Sequence, residues 1–284
     1  MAHPPQSSAA AWRHLARPAM LGLLIAAPWL NPAHADLQIG ADNNNVDNPF
    51  VQPEDSALSG GGRDQTLDDG DVLLGGRRAD VQIGLLGIDV IDGDRGNDVQ
   101  IGGPDPGGNN ADRAFGGPGN DVFFWQPGDG SDFFDGGSQA DAVVFGNIVL
   151  DEPQDPNDPN ERPLPAIDPH TGLPAIDVTN TGGFCEVVDG YEPDNAAALA
   201  ELGLDHLVKF FARGAADAFE AGDQNEDNGL RVTLHLVGVE YAVCAVREGG
   251  AIEVFDLRQA PAQIISIEDI GSRRLRRRLQ QIVF

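Results

Sequence analysis

The sequence predicts two textures in one chain: a repetitive stack of short strands and turns, followed by a small α+β domain. Three observations carry this. Aspartates recur at 71, 80, 89, 98, 112, 121, 132 and 141, nine residues apart at most steps. Each lies between a glycine-bearing turn and a short run of strand-forming residues, which is a repeat architecture. Seven prolines among residues 151–174 then separate this region from one with ordinary helical and alternating patterns.

A first element stands apart from both. Arg13 and Arg17 precede an apolar run from Ala19 to Leu30, and Ala33-His34-Ala35 closes it. Positive start, short apolar core and small-x-small site form the order of a secretory signal peptide over residues 1–35. The core is too short to span a bilayer. The mature chain is therefore expected to carry no transmembrane segment and to be secreted or extracytoplasmic, in the periplasm, at the cell surface or outside the cell. Cleavage leaves 16 basic residues against 45 acids, a net charge of −29, with Lys209 the one lysine. Such a chain repels nucleic acid and suits divalent cations. Cys185 and Cys244 are expected to pair in an oxidising compartment; neither has a motif that marks a catalytic thiol.

Residues 36–65, polar with Asn43-Asn44-Asn45 and Gly60-Gly61-Gly62, read as a lead-in or cap. The repeats occupy residues 66–146. Their best-formed unit is Gly116-Gly117-Pro118-Gly119-Asn120-Asp121-Val122-Phe123-Phe124. Its glycines permit positive φ and bring carbonyls inward. Three residues of strand must then stack on copies of themselves.

This unit resembles the calcium-binding nonapeptide of the RTX (repeats-in-toxin, hemolysin-type) proteins, G-G-x-G-x-D-x-U-x. The resemblance implies a right-handed parallel β-roll in which two repeats make one coil. Calcium ions would lie between successive turns, held by aspartate carboxylates and turn carbonyls, the hard oxygen donors that Ca2+ takes six to eight at a time. Carried onto this sequence, it places metal ligands at Asp71, Asp89, Asp112 and Asp132 on one edge and at Asp80, Asp98, Asp121 and Asp141 on the other. Asp98 and Asp121 are the first expected pair, then Asp89 and Asp112.

The chain departs from the pattern in several places. Arg78 and Gln139 stand where the fourth-place glycine belongs, and Leu85 and Asp94 where the second does. Arg77 and Arg78 put positive charge beside Asp80. Gln82 and Gln100 occupy the place that points inward and is apolar in the family. Two arrangements follow: a buried amide ladder, or an outer face of Val81, Ile83, Val99 and Ile101 docked against the rest of the chain or a partner, which is the favoured one. Family members that leave by the one-step toxin exporter carry a C-terminal export signal, whereas this chain has an N-terminal one.

Residues 147–177 read as a proline-rich linker or surface loop. The α+β domain spans 178–284: a strand at "GFCEVVD", a helix from Ala196 through Phe211 with a second piece to about Ala221, an alternating strand "LRVTLHLVGVEYAVCAV" breaking at Gly238, then "AIEVFDLR" and "AQIISIEDI". "DQNEDNG", Asp223 to Gly229, fails as an EF-hand loop because its glycine comes late and its twelfth place is Leu234. The tail "RRLRRRLQQIVF" forms a helix with Leu275, Leu279 and Ile282 on one side. Its arginines face the protein's own acidic surface, an acidic partner or an anionic membrane.

His170, His206 and His235 form no catalytic set with a neighbouring nucleophile, and no phosphate-binding glycine loop or nucleophile elbow occurs. The expectation is a calcium-ion-binding structural or binding module with a protein or cell-surface partner. Its rival is a secreted enzyme whose active site lies in residues 178–284.

Overall fold

Strands of three residues separated by glycine turns are buried only by stacking, and the computed structural model shows how that happens. It describes residues 37–39, 72–85, 87–103, 111–151, 165–188, 193–212 and 231–283. In chain order the strands are β1 (Leu37–Ile39), β2 (Val72–Leu74), β3 (Val81–Ile83), β4 (Val90–Asp92), β5 (Val99–Ile101), β6 (Arg113–Pro118), β7 (Val122–Trp125), β8 (Phe133–Ser138), β9 (Ala142–Phe145), β10 (Asn147–Ile148), β11 (Ile176–Asp177) and β12 (Gly183–Val188). Helix α1 (Pro193–Leu202) is followed by β13 (His206–Ala212), β14 (Arg231–Val237), β15 (Tyr241–Ala245), β16 (Ile252–Asp256), β17 (Gln263–Ile265) and helix α2 (Arg273–Val283).

The odd strands β1, β3, β5, β7 and β9 pair in parallel in one sheet, and the even strands β2, β4, β6 and β8 in parallel in a second. The chain thus crosses from sheet to sheet at every turn, as a parallel β-roll. Register is strict: Val81, Val99, Val122 and Ala142 stack in one column, and Val72, Val90, Arg113 and Phe133 in another. Stacking in register puts each turn over its copy one coil away.

The α+β region is built onto these sheets. β14 adds in parallel to β8, and β15 in parallel to β9, so residues 231–245 make one further coil with no nonapeptide in it. β13 and β12 then extend the second sheet antiparallel, and β16 and β17 the first. The expected disulfide, Cys185–Cys244, joins β12 to β15 and so ties one sheet to the other. Between the sheets, Leu73, Ile91, Ala114 and Phe134 face Phe123, Trp125, Val143 and Phe145, and the same core runs on through Phe210, Leu234 and Ala242. The Trp125 ring lies 5.4 Å from that of Phe145 and 4.8 Å from that of Phe210, welding repeat and extension together.

Both arrangements foreseen for the glutamine strands occur together. Gln82 and Gln100 are fully buried between the sheets. Gln100 Nε2 donates to Gln82 Oε1 at 3.0 Å and to the Phe115 carbonyl at 3.0 Å, while Gln82 Nε2 reaches the Asp92 carbonyl at 3.2 Å. On the outer face, Val81, Ile83, Val99 and Ile101 are covered by Leu275, Leu279 and Ile282 of α2. Ile148, Leu173, Ile176 and Val178 complete that cover. The described part of the proline-rich segment is therefore a flap: β10 pairs antiparallel with β11, and Ile167 bridges Pro174.

The helix expected over Ala196–Phe211 is corrected. It runs from Pro193 to Leu202 and stops at Gly203, whose φ is 72°. The Leu204 amide donates to the Leu199 carbonyl and the Gly203 amide to that of Ala200, the paired bonds of a glycine C-cap. His206 to Ala212 then form a strand, because Val208 and Phe210 alternate inward with Leu207, Lys209 and Phe211 outward. The further helical piece to about Ala221 and the Asp223–Gly229 turn lie outside the described residues, as does Asp71.

The left-handed geometry of second-place Gly117 and Gly137 persists where Leu85 and Asp94 replace that glycine, and Gln139 adopts it at a fourth place where Gly96 and Gly119 do not. Leu85, Asp94 and Gln139 hold φ of 77°, 59° and 89°, a region that costs a side-chain-bearing residue about 1–3 kcal/mol. Gln139 is exposed and has little to lose. Gln139→Gly is therefore expected to stabilise the fold by about 1 kcal/mol, strain relief outweighing the freer unfolded chain. A rise in Tm, equal with and without calcium, would show it; a fall would mean that the turn is not strained.

Candidate cation-binding ladders

Each turn delivers its aspartate to the same point of the coil, so strict strand register turns a nine-residue beat into two columns of acids. On the first edge the Asp80 amide donates to Asp98 Oδ1 at 2.8 Å, Asp98 to Asp121 Oδ1 at 2.7 Å, and Asp121 to Asp141 Oδ1 at 2.7 Å. On the second, the Asp89 amide donates to Asp112 Oδ1 at 2.8 Å and Asp112 to Asp132 Oδ1 at 2.9 Å. The grouping into edges is the one expected from the repeat. Asp80 is 2% exposed and the other six not at all.

One carboxylate oxygen of Asp98, Asp121, Asp141, Asp112 and Asp132 is thus used to hold the preceding coil. The second is the chemically open one. Oδ2 of Asp98, Asp121 and Asp141 is buried with no hydrogen-bond partner. Asp80 differs: its Oδ2 accepts the Gly76 amide at 2.7 Å, which satisfies the first rung locally. Arg77 and Arg78 beside it are exposed.

Turn carbonyls converge on the same places. A methyl built at Gly93 would lie 2.5 Å from Asp98 Oδ2 and 2.8 Å from the Gly116 carbonyl oxygen; at Gly116 it would meet Asp121 Oδ2 at 2.6 Å and the Gly136 oxygen at 2.8 Å. These glycines let a carboxylate of their own turn and a carbonyl of the next pack close against the backbone, where a side chain would clash. On the second edge Asp89 Oδ2 and the Gly102 oxygen approach Gly84 in the same way. Among the described residues no three acid, histidine or cysteine side chains converge on one point. The acids are strung one per coil, so a cation between turns would draw the rest of its shell from backbone oxygen.

Electrostatics follow from this burial. Desolvation pushes the Asp98 carboxyl up to about 8, opposed by the Asp80 amide and reinforced by the charges of Asp121 and Asp80. Desolvation likewise raises Asp121 to about 7, against the Asp98 amide and Arg278. Asp141 rises to about 9, with Asp121, Glu240 and Asp135 adding repulsion to its desolvation. Burial without a full opposing charge is what makes these carboxyls resist ionisation.

Asn97, Asn120, Ser272 and Glu240 escaped the sequence reading. Asn97 and Asn120, just before Asp98 and Asp121, form a rung of their own: the Asn120 amide and Nδ2 both donate to Asn97 Oδ1 at 3.0 Å. A repeated Asn-Asp pair was the available signal. Ser272 at the start of α2 donates to Asn120 Oδ1, pinning the helix to this edge. Arg278, two turns along, brings its guanidinium towards Asp98 and Asp121; burial lowers its pKa while those acids raise it. Glu240 ends the first ladder, its Oε2 accepting the Asp141 amide at 2.7 Å.

The chain matches no protein-family model, and comparison with curated proteins and with solved structures finds no significant similarity. The functional reading therefore stands on the site itself.

Proposed function

We propose that this protein is an exported calcium-binding β-roll, a structural or binding module of the RTX kind, ordered by Ca2+ between its turns. One observation carries the reading: Oδ2 of Asp98, Asp121 and Asp141 is buried without a donor, at glycine turns that a carbonyl of the next coil also approaches. A fully buried carboxylate oxygen without a partner is costly unless something positive completes it. The donor set is all oxygen, which suits a hard divalent cation over a soft one.

Asp98, Asp121 and Asp141 would hold ions on the first edge with the Gly116 and Gly136 carbonyls, and Asp89, Asp112 and Asp132 on the second. By its place in the repeat Asp71, outside the described residues, would join them as a ligand. Asp80 is the weaker ligand, its second oxygen already taken by Gly76. Bound calcium supplies the positive charge that lets neighbouring carboxylates ionise together. The chain's own part is to space the acids, exclude water and offer glycine turns that admit an ion.

Export is supported by the order of residues 1–35 and by the Cys185–Cys244 bond. Among the described residues no helix is long and apolar enough to cross a membrane.

Calorimetric titration of the mature protein with calcium, paired with thermal melts, tests the reading. Uptake of several ions with a raised Tm is expected. Absence of binding heat, with superposable melts in chelator and in millimolar calcium, would overturn it.

A further inference from the structure

The first ladder does not end with the repeats. Glu240, 99 residues further along the chain, accepts the Asp141 amide as Asp141 accepts that of Asp121. The Glu240 and Tyr241 amides both return to the Asp141 carbonyl at 3.1 Å. The turn that carries Glu240 is shorter than the nonapeptide turn, and the extra methylene of glutamate restores the reach.

The turn at Asp141 brings the same groups together as those inside the roll. A methyl built at Gly136 would lie 2.5 Å from the Gly238 carbonyl oxygen and 2.9 Å from Asp141 Oδ2. That Oδ2 belongs to a fully buried residue and has no hydrogen-bond partner. Gly238 turns with φ of 61°, and its amide is held by Asp205 Oδ2 at 2.9 Å. Around it the charge is negative: Asp135 acts on Asp141, and Asp205 on Glu240. Arg258 is the cation at hand. It is engaged by Asp256 at 2.8 and 2.7 Å and lies over the Tyr241 ring.

We propose that the Gly136–Asp141 and Gly238–Glu240 turns together form a divalent-cation site that clamps the non-repeat coil, residues 231–245, onto the roll. Its ligands are Asp141 Oδ2, the Glu240 carboxylate and the Gly238 carbonyl, with Asp205 positioning the Gly238 peptide. Glu240 stands in for the acid of a further repeat. The inference rests on the calcium reading above and extends it: cations order the C-terminal extension as well as the repeats.

Hydrogen exchange of the mature chain, with and without calcium, tests the clamp alongside calorimetry. In the wild type, calcium should slow amide exchange at least tenfold in both β5 and β15. Glu240→Gln keeps an oxygen for the Asp141 amide and removes the charge. It should bind one ion fewer and lose the calcium response of β15 while keeping that of β5. Asp205→Asn, at an exposed position, should fold normally and weaken binding at this site several-fold. Asp98→Asn should do the reverse of Glu240→Gln, blunting β5 and sparing β15. If Glu240→Gln and Asp205→Asn match the wild type in stoichiometry, affinity and β15 protection, the clamp is wrong and the calcium roll stands. If the wild type itself takes up no calcium, both fall.

Discussion

Asp121→Asn is expected to stabilise the protein in chelator at pH 8 and to destabilise it in millimolar calcium. Asparagine keeps an oxygen for the Asp98 amide and can aim its amide at the turn carbonyls near Asp121 Oδ2. What it removes is a charge that burial disfavours, on a carboxyl raised to about 7. The direction with pH follows from proton counting. Between the ordinary carboxyl value near 4 and the raised native values, the folded chain holds protons that the unfolded chain has released, so stability falls as pH rises. The contribution of these carboxyls is full below about 4 and is lost as pH climbs through about 7 for Asp121, 8 for Asp98 and 9 for Asp141.

In chelator, then, the wild-type Tm should decline from pH 5 to pH 9, and Asp121→Asn should flatten that decline. The gain at pH 8 is on the order of 1–3 kcal/mol, as one pKa unit is worth about 1.4 kcal/mol. In calcium the sign reverses, since Asp121 faces both Asp98 and Asp141 and its loss impairs the candidate sites on either side. Melts of both proteins at pH 5, 7 and 9, in chelator and in calcium, decide the matter. The same sign of change in both media would contradict the idea that the ladder is completed by a cation.

Leu279→Ala is expected to cost about 2–5 kcal/mol, the largest effect of any single substitution considered. Leu279 is fully buried between α2 and the outer face of the first sheet, in a cluster with Val99, Val122 and Leu275. Truncation there leaves a cavity that rigid strands cannot close. Arg277, exposed on the opposite side of the same helix, should tolerate alanine within about 0.5 kcal/mol. Urea denaturation of the two variants gives the comparison. Equal, small losses would show that α2 is an ornament on the roll. Deleting residues 272–284 goes further: it would bare Val81, Val99 and Val122 together, and self-association by size exclusion is the expected result.

The arginine-rich tail is thus mainly a lid. Its apolar stripe pays for covering the sheet, and Arg278 sets a fixed cation towards Asp98 and Asp121.

Much of this molecule was readable from spacing alone. Period is a local property, and a strand of three residues after a glycine turn has few ways to be buried. The nine-residue beat therefore led directly to stacked coils, while the placing of alternate acids on alternate edges came with the resemblance to the RTX nonapeptide. The Cys185–Cys244 pairing followed from there being no other cysteines, and the buried stripe of α2 from the spacing of Leu275, Leu279 and Ile282. The end of α1 was misplaced: Gly203 marks it, but the apolar residues beyond fitted a loose helical face as well as a strand, and only neighbouring strands resolve that ambiguity.

Spacing could not tell that β14 and β15 add another coil, because that pairing joins segments about a hundred residues apart and depends on complementary edges meeting in space. Glu240 became the last rung for the same reason: nothing in its own neighbourhood repeats. Burial was equally hidden. An aspartate at a turn is ordinarily solvated, and its carboxyl is raised only once coils stack above and below it and strip the water away. Local pattern names the acids; the closing of coil upon coil is what buries them and raises their carboxyls.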